Sequence, residues 1–176
     1  MNKKNIKTEK YRQCSRCQKK CIESKICLVD DKALCLTCLY GSVKPFKIYS
    51  IGIVKNELKQ AQKGFGIIGK QGLSCIELLD SQKPFLHKIE DETHITVVYY
   101  LHKADKVRSV FSRGLDGKKV GVFASRTPYR LSRIAIQDVR LIRVDGIKLY
   151  VEGLDAINGS PVLDIKMKWQ LRGHTT

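Results

Sequence analysis

Acidic residues are scarce in this sequence, and long apolar runs are missing. Its 33 Lys and Arg face only 17 Asp and Glu, a formal net charge of +16. Such an excess disfavours a basic partner and suits a polyanion, because neutralising phosphates releases counterions and makes binding salt-sensitive. Nucleic acid, RNA above all, is the expected partner; a general solubility device is the alternative. No apolar run reaches the length of a membrane span. The basic start "MNKKNIKTEKYR" leads into no apolar signal region, so a cytoplasmic location without membrane association is expected. There is no internal repeat and no low-complexity tract. A length of 176 residues suits one ordinary domain with a small appendage.

Cysteine is nearly absent outside one segment. Six of the seven fall in "CSRCQKKCIESKICLVDDKALCLTC", leaving Cys75 alone. The stretch "YGSVKP", Tyr40 to Pro45, reads as a linker, which sets residues 1–44 apart from a second unit over 45–176. Residues 1–45 carry 11 Lys/Arg against 4 Asp/Glu. Cys14-x-x-Cys17 and Cys35-x-x-Cys38 are separated by seventeen residues, the spacing of paired knuckles that present four thiolates to one tetrahedral zinc. A zinc-ribbon-like module is therefore expected, with Cys14, Cys17, Cys35 and Cys38 as ligands and Zn2+ supplying most of its folding free energy. Cys21 and Cys27 are either ordinary thiols or alternative ligands, and an iron–sulfur cluster is the second reading. Nothing points to secretion, so disulfides are disfavoured. A closed four-cysteine shell leaves no open position for catalysis.

After the linker the pattern is strand-like. "FKIYSIGIV", "LSCIELL", "HITVVYYLH", "KVGVFA", "IAIQDVRLIRV", "IKLYVEGL" and "PVLDIKMKW" are short, rich in β-formers and separated by turn signals. Asp145-Gly146 marks a tight hairpin and Asp116-Gly117 another turn. "NELKQAQKGFGIIGKQG" suits a short helix followed by a glycine-rich loop. The fold class is mainly β, an antiparallel barrel or sandwich. Within it, "GVFASRTPYR" reads as a strand, Val120 to Ala124, followed by a turn stiffened by Pro128 that carries Arg126 and Arg130. Two readings suit those arginines: solvated surface charge, or an anion or nucleotide site. Asp155 and Asp164 are acid–base candidates, with turn capping or pairing to Lys166 as the alternative. No general base is identifiable, and no catalytic residue is assigned.

From Phe46 to Lys168 the sequence resembles the TrmO family of tRNA threonylcarbamoyladenosine methyltransferases. Four ordered segments carry the resemblance: "IYSIGIVKN", "HITVVYYLHK", "VGVFASRTPYR" and "GLDAINGSPVLDIK". It implies a small six-stranded β-barrel methyltransferase, a homodimer binding S-adenosylmethionine near the subunit interface and modifying an adenosine beside the tRNA anticodon. Carried over to this chain, it places cofactor contacts at His102, Lys103, Arg126, Ile136, Ile157, Asn158, Gly159 and Ser160, with Lys70 and Gln71 in the "GKQG" loop. Arg130 is a candidate to face the tRNA, and Arg133, an added cation where the family pattern is lost, is a second RNA-binding candidate. Read from the residues alone, "INGSP" offers backbone N–H groups, a hydroxyl and a glycine allowing close approach. Methyl transfer asks mainly for in-line positioning, so a prominent acid–base signature is not expected.

The chain also departs from the family pattern. Where the family continues Pro-Asn-Pro-Ile-Gly after the second arginine, this chain reads "LSRIAIQ", and Asn158 stands where the family has aspartate. The cysteine-rich start lies outside the family core. Three functions fit: a tRNA methyltransferase gripped by a zinc-stabilised basic lobe, a zinc-stabilised RNA-binding protein with little catalysis, or a methyltransferase of a small metabolite.

Overall fold

Alternation of apolar and polar residues decides how the second unit closes. The computed structural model describes residues 9–59 and 72–168. Strands β1 (Tyr11–Gln13), β2 (Lys20–Ile22), β3 (Ile26–Val29) and β4 (Lys32–Cys35) form two hairpins, followed by a short helix α1 (Leu36–Tyr40). Then come β5 (Gly52–Lys55), β6 (Ser74–Leu78), β7 (His94–Tyr100), β8 (Val110–Ser112), β9 (Lys119–Gly121), β10 (Ile134–Asp145), β11 (Lys148–Glu152) and β12 (Pro161–Met167). Six of them close a barrel in the order β10-β11-β6-β5-β12-β7, with every neighbouring pair antiparallel. The expected mainly-β, six-stranded barrel is what forms.

Period-two patterning puts one face of each strand inside. Ile95, Val97 and Tyr99 of β7 point inward, as do Ile76 and Leu78 of β6 and Leu149 and Val151 of β11. Each fully buried Ile, Leu or Val contributes roughly 1.5–3 kcal/mol relative to exposure, so the filled interior carries the barrel. Strand β10 is long enough to serve two neighbours. Its first half pairs with β7 and its second with β11, and the ladder shifts register between Leu141 and Arg143. Such a bulge bends a strand, as closure of a small barrel requires. The Asp145-Gly146 signal is the β10–β11 turn, with Gly146 at a φ of 60°. Gly52 is required elsewhere: a Cβ there would lie 2.5 Å from the Glu77 carbonyl oxygen, so β5 and β6 approach only with hydrogen at that position.

Two expected strands are shorter than their apolar runs. In "FKIYSIGIV" only its last three residues join β5, and Phe46, Ile48 and Tyr49 are exposed, because β12 offers that edge partners only at Pro161 and Val162. In "KVGVFA" the strand ends at Gly121, and Val122–Ala124 form a 3₁₀ turn. The partner β8 is only three residues long, so no ladder exists for Val122 to Ala124 to continue. Phe123 consequently lies 89% exposed. The helix expected in "NELKQAQKGFGIIGKQG" falls mostly outside the described residues, as do Lys70 and Gln71.

The two N-terminal hairpins bury almost nothing apolar beyond Cys14, Ala33 and Cys35. The Ser15 N–H donates to the Ala33 carbonyl at 2.7 Å, tying the first hairpin to the second. A core that small does not offset chain entropy, so another cross-link has to hold the module.

Candidate functional site

Strand β7 ends at Tyr100 and delivers His102 to the barrel rim. There His102 Nδ1 lies 3.2 Å from the Ser160 hydroxyl, and a Cβ at Gly159 would lie 4.0 Å from His102 Nε2. Gly159 has a φ of 83°, which a side chain tolerates poorly, so the glycine both makes the turn and keeps the imidazole edge open. The structure thus brings together His102, Gly159 and Ser160, and places Ile157 and Asn158 in the same turn. Lys103 lies beside them, exposed, its ammonium 3.3 Å from the Lys59 carbonyl.

The turn's own N–H groups are already used. Asn158 N donates to the Leu58 carbonyl, Gly159 N to Val54 and Ser160 N to Ile157. The expected backbone donors are therefore engaged internally, because the turn must be fastened to β5 to hold its shape. The atoms left without a partner among the described residues are side chain, His102 Nε2 and Asn158 Nδ2, beside the exposed ammonium of Lys103. These side-chain atoms can exchange hydrogen bonds with polar groups of a ligand.

Asn56 is the residue that sequence reasoning passed over. Its Nδ2 donates to the buried Ser74 hydroxyl (3.0 Å) and to the Ala156 carbonyl (2.9 Å). Its Oδ1 accepts from Leu58 N, and its own N–H donates to Asn158 Oδ1 at 3.1 Å. One side chain thereby pins the strand exit of "IYSIGIVKN" to the site turn. The available signal was an Asn at a strand end, but only the tertiary pairing supplies its partners.

Partial burial, and then the neighbouring Lys103 charge, hold the His102 pKa below its usual 6.5. The imidazole is accordingly neutral near pH 7, with Nδ1 committed to Ser160 and Nε2 facing the rim. Burial raises the Asp155 carboxyl above its ordinary range. Gln137 holds the Asp155 backbone, accepting from its N–H at 2.8 Å, and the Tyr99 hydroxyl donates to its carbonyl at 3.2 Å. Asp164 instead pairs with Lys166 at 2.6 Å and accepts from Ile165 N, the plain structural alternative.

The two arginines of "GVFASRTPYR" part company. The Arg130 guanidinium turns back on its own loop, donating to the carbonyls of Thr127 (3.2 Å), Val122 (3.1 Å) and Ser125. It braces the turn. Arg126 is exposed and makes no hydrogen bond or ion pair to another described residue. Arg133 adopts a φ of 52°, and its carbonyl accepts from Leu101 N at 2.8 Å, one residue before His102. Ile136 is 56% exposed on β10 opposite Val98, four residues back along β7 from His102. No described contact joins Arg126 or Ile136 to the His102–Ser160 group within one chain.

The four expected ligand cysteines meet. Sγ of Cys14 and Cys38 are 3.8 Å apart, as are Cys17 and Cys35, and all four lie within 4.8 Å of one another. Thiolates about 2.3 Å from a single ion at tetrahedral corners are themselves about 3.8 Å apart, so the set fits one four-coordinate ion. A multi-iron cluster interposes several metals and needs the sulfurs spread wider. Cys21 and Cys27 lie outside the group. N–H groups of Cys17 and Cys35 lower the Cys14 thiol to about 6, the Cys35 N–H lying 3.4 Å from its sulfur. Cys38, sharing a hydrogen bond with Cys35, is pushed up to about 12. Four thiolates this close repel one another, and a divalent cation among them offsets that repulsion.

Residues 60–170 match the family model of the tRNA-methyltransferase O N-terminal domain. The chain belongs to this family. It is similar to a probable S-adenosyl-L-methionine-binding protein of Archaeoglobus fulgidus, with 34% identity over 122 residues, 68% of this chain and 33% of that one. A second S-adenosyl-L-methionine-binding protein of the same organism is 37% identical over 66% of this chain and 84% of its own. The rat tRNA (adenine(37)-N6)-methyltransferase is 31% identical over 56% of this chain and 25% of its own. This family member therefore spans about a third of the first archaeal relative and a quarter of the rat enzyme. The crystal structure of TrmO from Pseudomonas aeruginosa shares its fold, with a TM-score of 0.57 at 23% identity over 76% of this chain and 60% of that one. Among the described residues no helix is long and apolar enough to cross a membrane.

Proposed function

We propose that this family member is an S-adenosylmethionine-dependent tRNA methyltransferase acting on a modified adenosine, threonylcarbamoyladenosine, beside the anticodon. The observation that carries the reading is the His102–Gly159–Ser160 rim within residues that match the family model. The names of the archaeal and rat relatives supply the cofactor and the acceptor class. When bound, S-adenosylmethionine supplies an activated methyl group on a sulfonium. The chain's task is to bind, orient and exclude water. In this reading Asn158 Nδ2 and neutral His102 Nε2 meet polar groups of the cofactor, Lys103 meets its carboxylate or the tRNA phosphates, and Arg126 does so from a second copy. Asn56 and Ser160 hold the turn and the imidazole in register.

We assign Arg126 and Ile136 to the site of a second copy, so a homodimer belongs to the proposal; the exposed Phe123 offers an apolar contact nearby in sequence. Residues 1–44 act as a zinc-binding module, Zn2+ held by Cys14, Cys17, Cys35 and Cys38, and residues 45–176 as the methyltransferase unit. The module's excess of Lys and Arg extends the basic surface offered to RNA. Arg133 remains an RNA-contact candidate, while Arg130 contributes through the turn it braces.

Mass spectrometry of nucleosides from tRNA incubated with the protein and isotopically labelled S-adenosylmethionine tests the reading. A labelled methyl on threonylcarbamoyladenosine is expected. Label on another nucleoside would overturn the acceptor, and cofactor binding without any transfer would favour the RNA-binding reading.

A further inference from the structure

The β3–β4 turn is built against its local interests. Val29 pairs with Lys32, leaving Asp30-Asp31 as a two-residue loop with φ of 48° and 63°. Both central residues of this turn type need positive φ, and Asn-Gly is the pair that adopts it most readily. Two aspartates in the left-handed region cost local stability and hold two like charges together.

Their compensation lies far along the chain. Asp30 Oδ1 accepts from Ser109 N at 3.0 Å, Oδ2 accepts from the Ser109 hydroxyl, and the Asp30 N–H donates to the Val107 carbonyl at 3.1 Å. Arg108 donates to Asp31 at 3.0 Å. Two of the same residues, Arg108 and Ser109, also hold the arginine-bearing turn. Ser109 O accepts from Val122 N at 3.1 Å, and Arg108 N donates to the Tyr129 carbonyl at 3.2 Å. Within the segment between Ala104 and Arg133 the other polar ties are local, Arg130 on carbonyls of its own turn and Arg113 on Asp116, and do not anchor it to another element. Its sheet is two three-residue strands, and Val122 and Thr127 are its only buried residues, with Phe111 packed edge-on against Tyr129. So small a unit does not stand alone.

We propose that Asp30 and Asp31 are positioning residues that clamp the four-cysteine module to residues 107–109, so that metal binding orders the turn presenting Arg126. This rests on the reading of the four cysteines as a metal centre. The chain of cause is short: Cys35 ends β4, β4 and β3 share the Asp30-Asp31 turn, and that turn fastens the segment whose Val122 and Tyr129 flank Arg126. A module outside the family core thereby acts on the family site.

The test is amide hydrogen exchange on the full-length protein, with metal content measured in parallel. Asp30→Gly with Asp31→Gly gives the hairpin a turn pair that adopts positive φ readily while removing both side-chain acceptors. The variant is expected to keep wild-type metal content and hairpin protection, with about tenfold faster exchange across 107–130 and unchanged β6 and β7. Asp30→Asn alone keeps one acceptor for Ser109 N and should fall between. Stripping metal from the wild type with a chelator should expose 107–130 in the same way. Wild-type protection of 107–130 in the double variant overturns the clamp. Protection that survives chelation overturns the link to metal. A purified protein without metal defeats the metal-centre reading itself, and the variant comparison still decides the clamp.

Discussion

The His102 imidazole and the Ser160 hydroxyl, 58 residues apart in sequence, meet at 3.2 Å on the rim of the barrel. That contact fixes which ring nitrogen is committed and which faces the opening beside Gly159. Ser160 is 2% exposed, so its hydroxyl has no ready water substitute for the imidazole. Ser160→Ala should cost about 1 kcal/mol in denaturant unfolding and weaken S-adenosylmethionine binding several-fold by calorimetry. Unchanged affinity would take the pair out of the cofactor site.

His102 should also titrate low. Burial and Lys103 depress its pKa below 6.5, so the unfolded chain binds a proton more readily than the folded one. The sign follows: stability is full above the unfolded pKa and declines as pH falls from about 6.5 towards the folded value. An NMR titration of His102 with a midpoint at or above the ordinary value would contradict this environment.

Arg126 and Arg130 should separate in their effects. Arg126→Ala removes an exposed guanidinium without a described partner, so unfolding should be unchanged while cofactor affinity falls more than about tenfold. Arg130→Ala removes the guanidinium that the Val122, Ser125 and Thr127 carbonyls share, leaving Val122 only its Ser125 hydroxyl donor, and should loosen the turn, seen as faster proteolysis between Val122 and Arg130. Equal behaviour of the two variants in both assays would refute the division of labour.

One zinc per chain is the expected metal content. Cys14→Ser with Cys17→Ser should release it, whereas Cys21→Ser should retain it, because Cys21 stands outside the four-sulfur group. Metal affinity should fall as pH drops, since protons compete for the thiolates. Iron in place of zinc, or metal loss in Cys21→Ser, would overturn the assignment.

Gly52→Ala tests the barrel seam. The added methyl would sit 2.5 Å from the Glu77 carbonyl oxygen and 2.8 Å from Leu78 Cα, both backbone atoms that cannot step aside cheaply. A loss of about 1–3 kcal/mol or more is expected by chemical denaturation, typical of overpacking. A neutral result would mean that β5 and β6 are not held this close.

The sequence by itself determined what local periodicity and spacing can carry. Alternation in "HITVVYY" fixed which face of β7 is buried, Asp145-Gly146 fixed a hairpin, and two Cys-x-x-Cys pairs fixed a four-thiol site, because each signal lies within a few neighbouring residues. The net charge fixed the class of partner to test. Tertiary structure decided the rest. Val122 to Ala124 did not remain strand once β8 proved too short to partner them. Arg130 became a brace because three carbonyls of its own turn converge on it, and the N–H groups of Asn158 to Ser160 were claimed by Leu58, Val54 and Ile157. The importance of Asn56, Asp30 and Asp31 was invisible in the sequence, because their partners lie up to a hundred residues away. A hydrogen bond depends on where two atoms meet, and only the closed barrel and the docked hairpin bring these together.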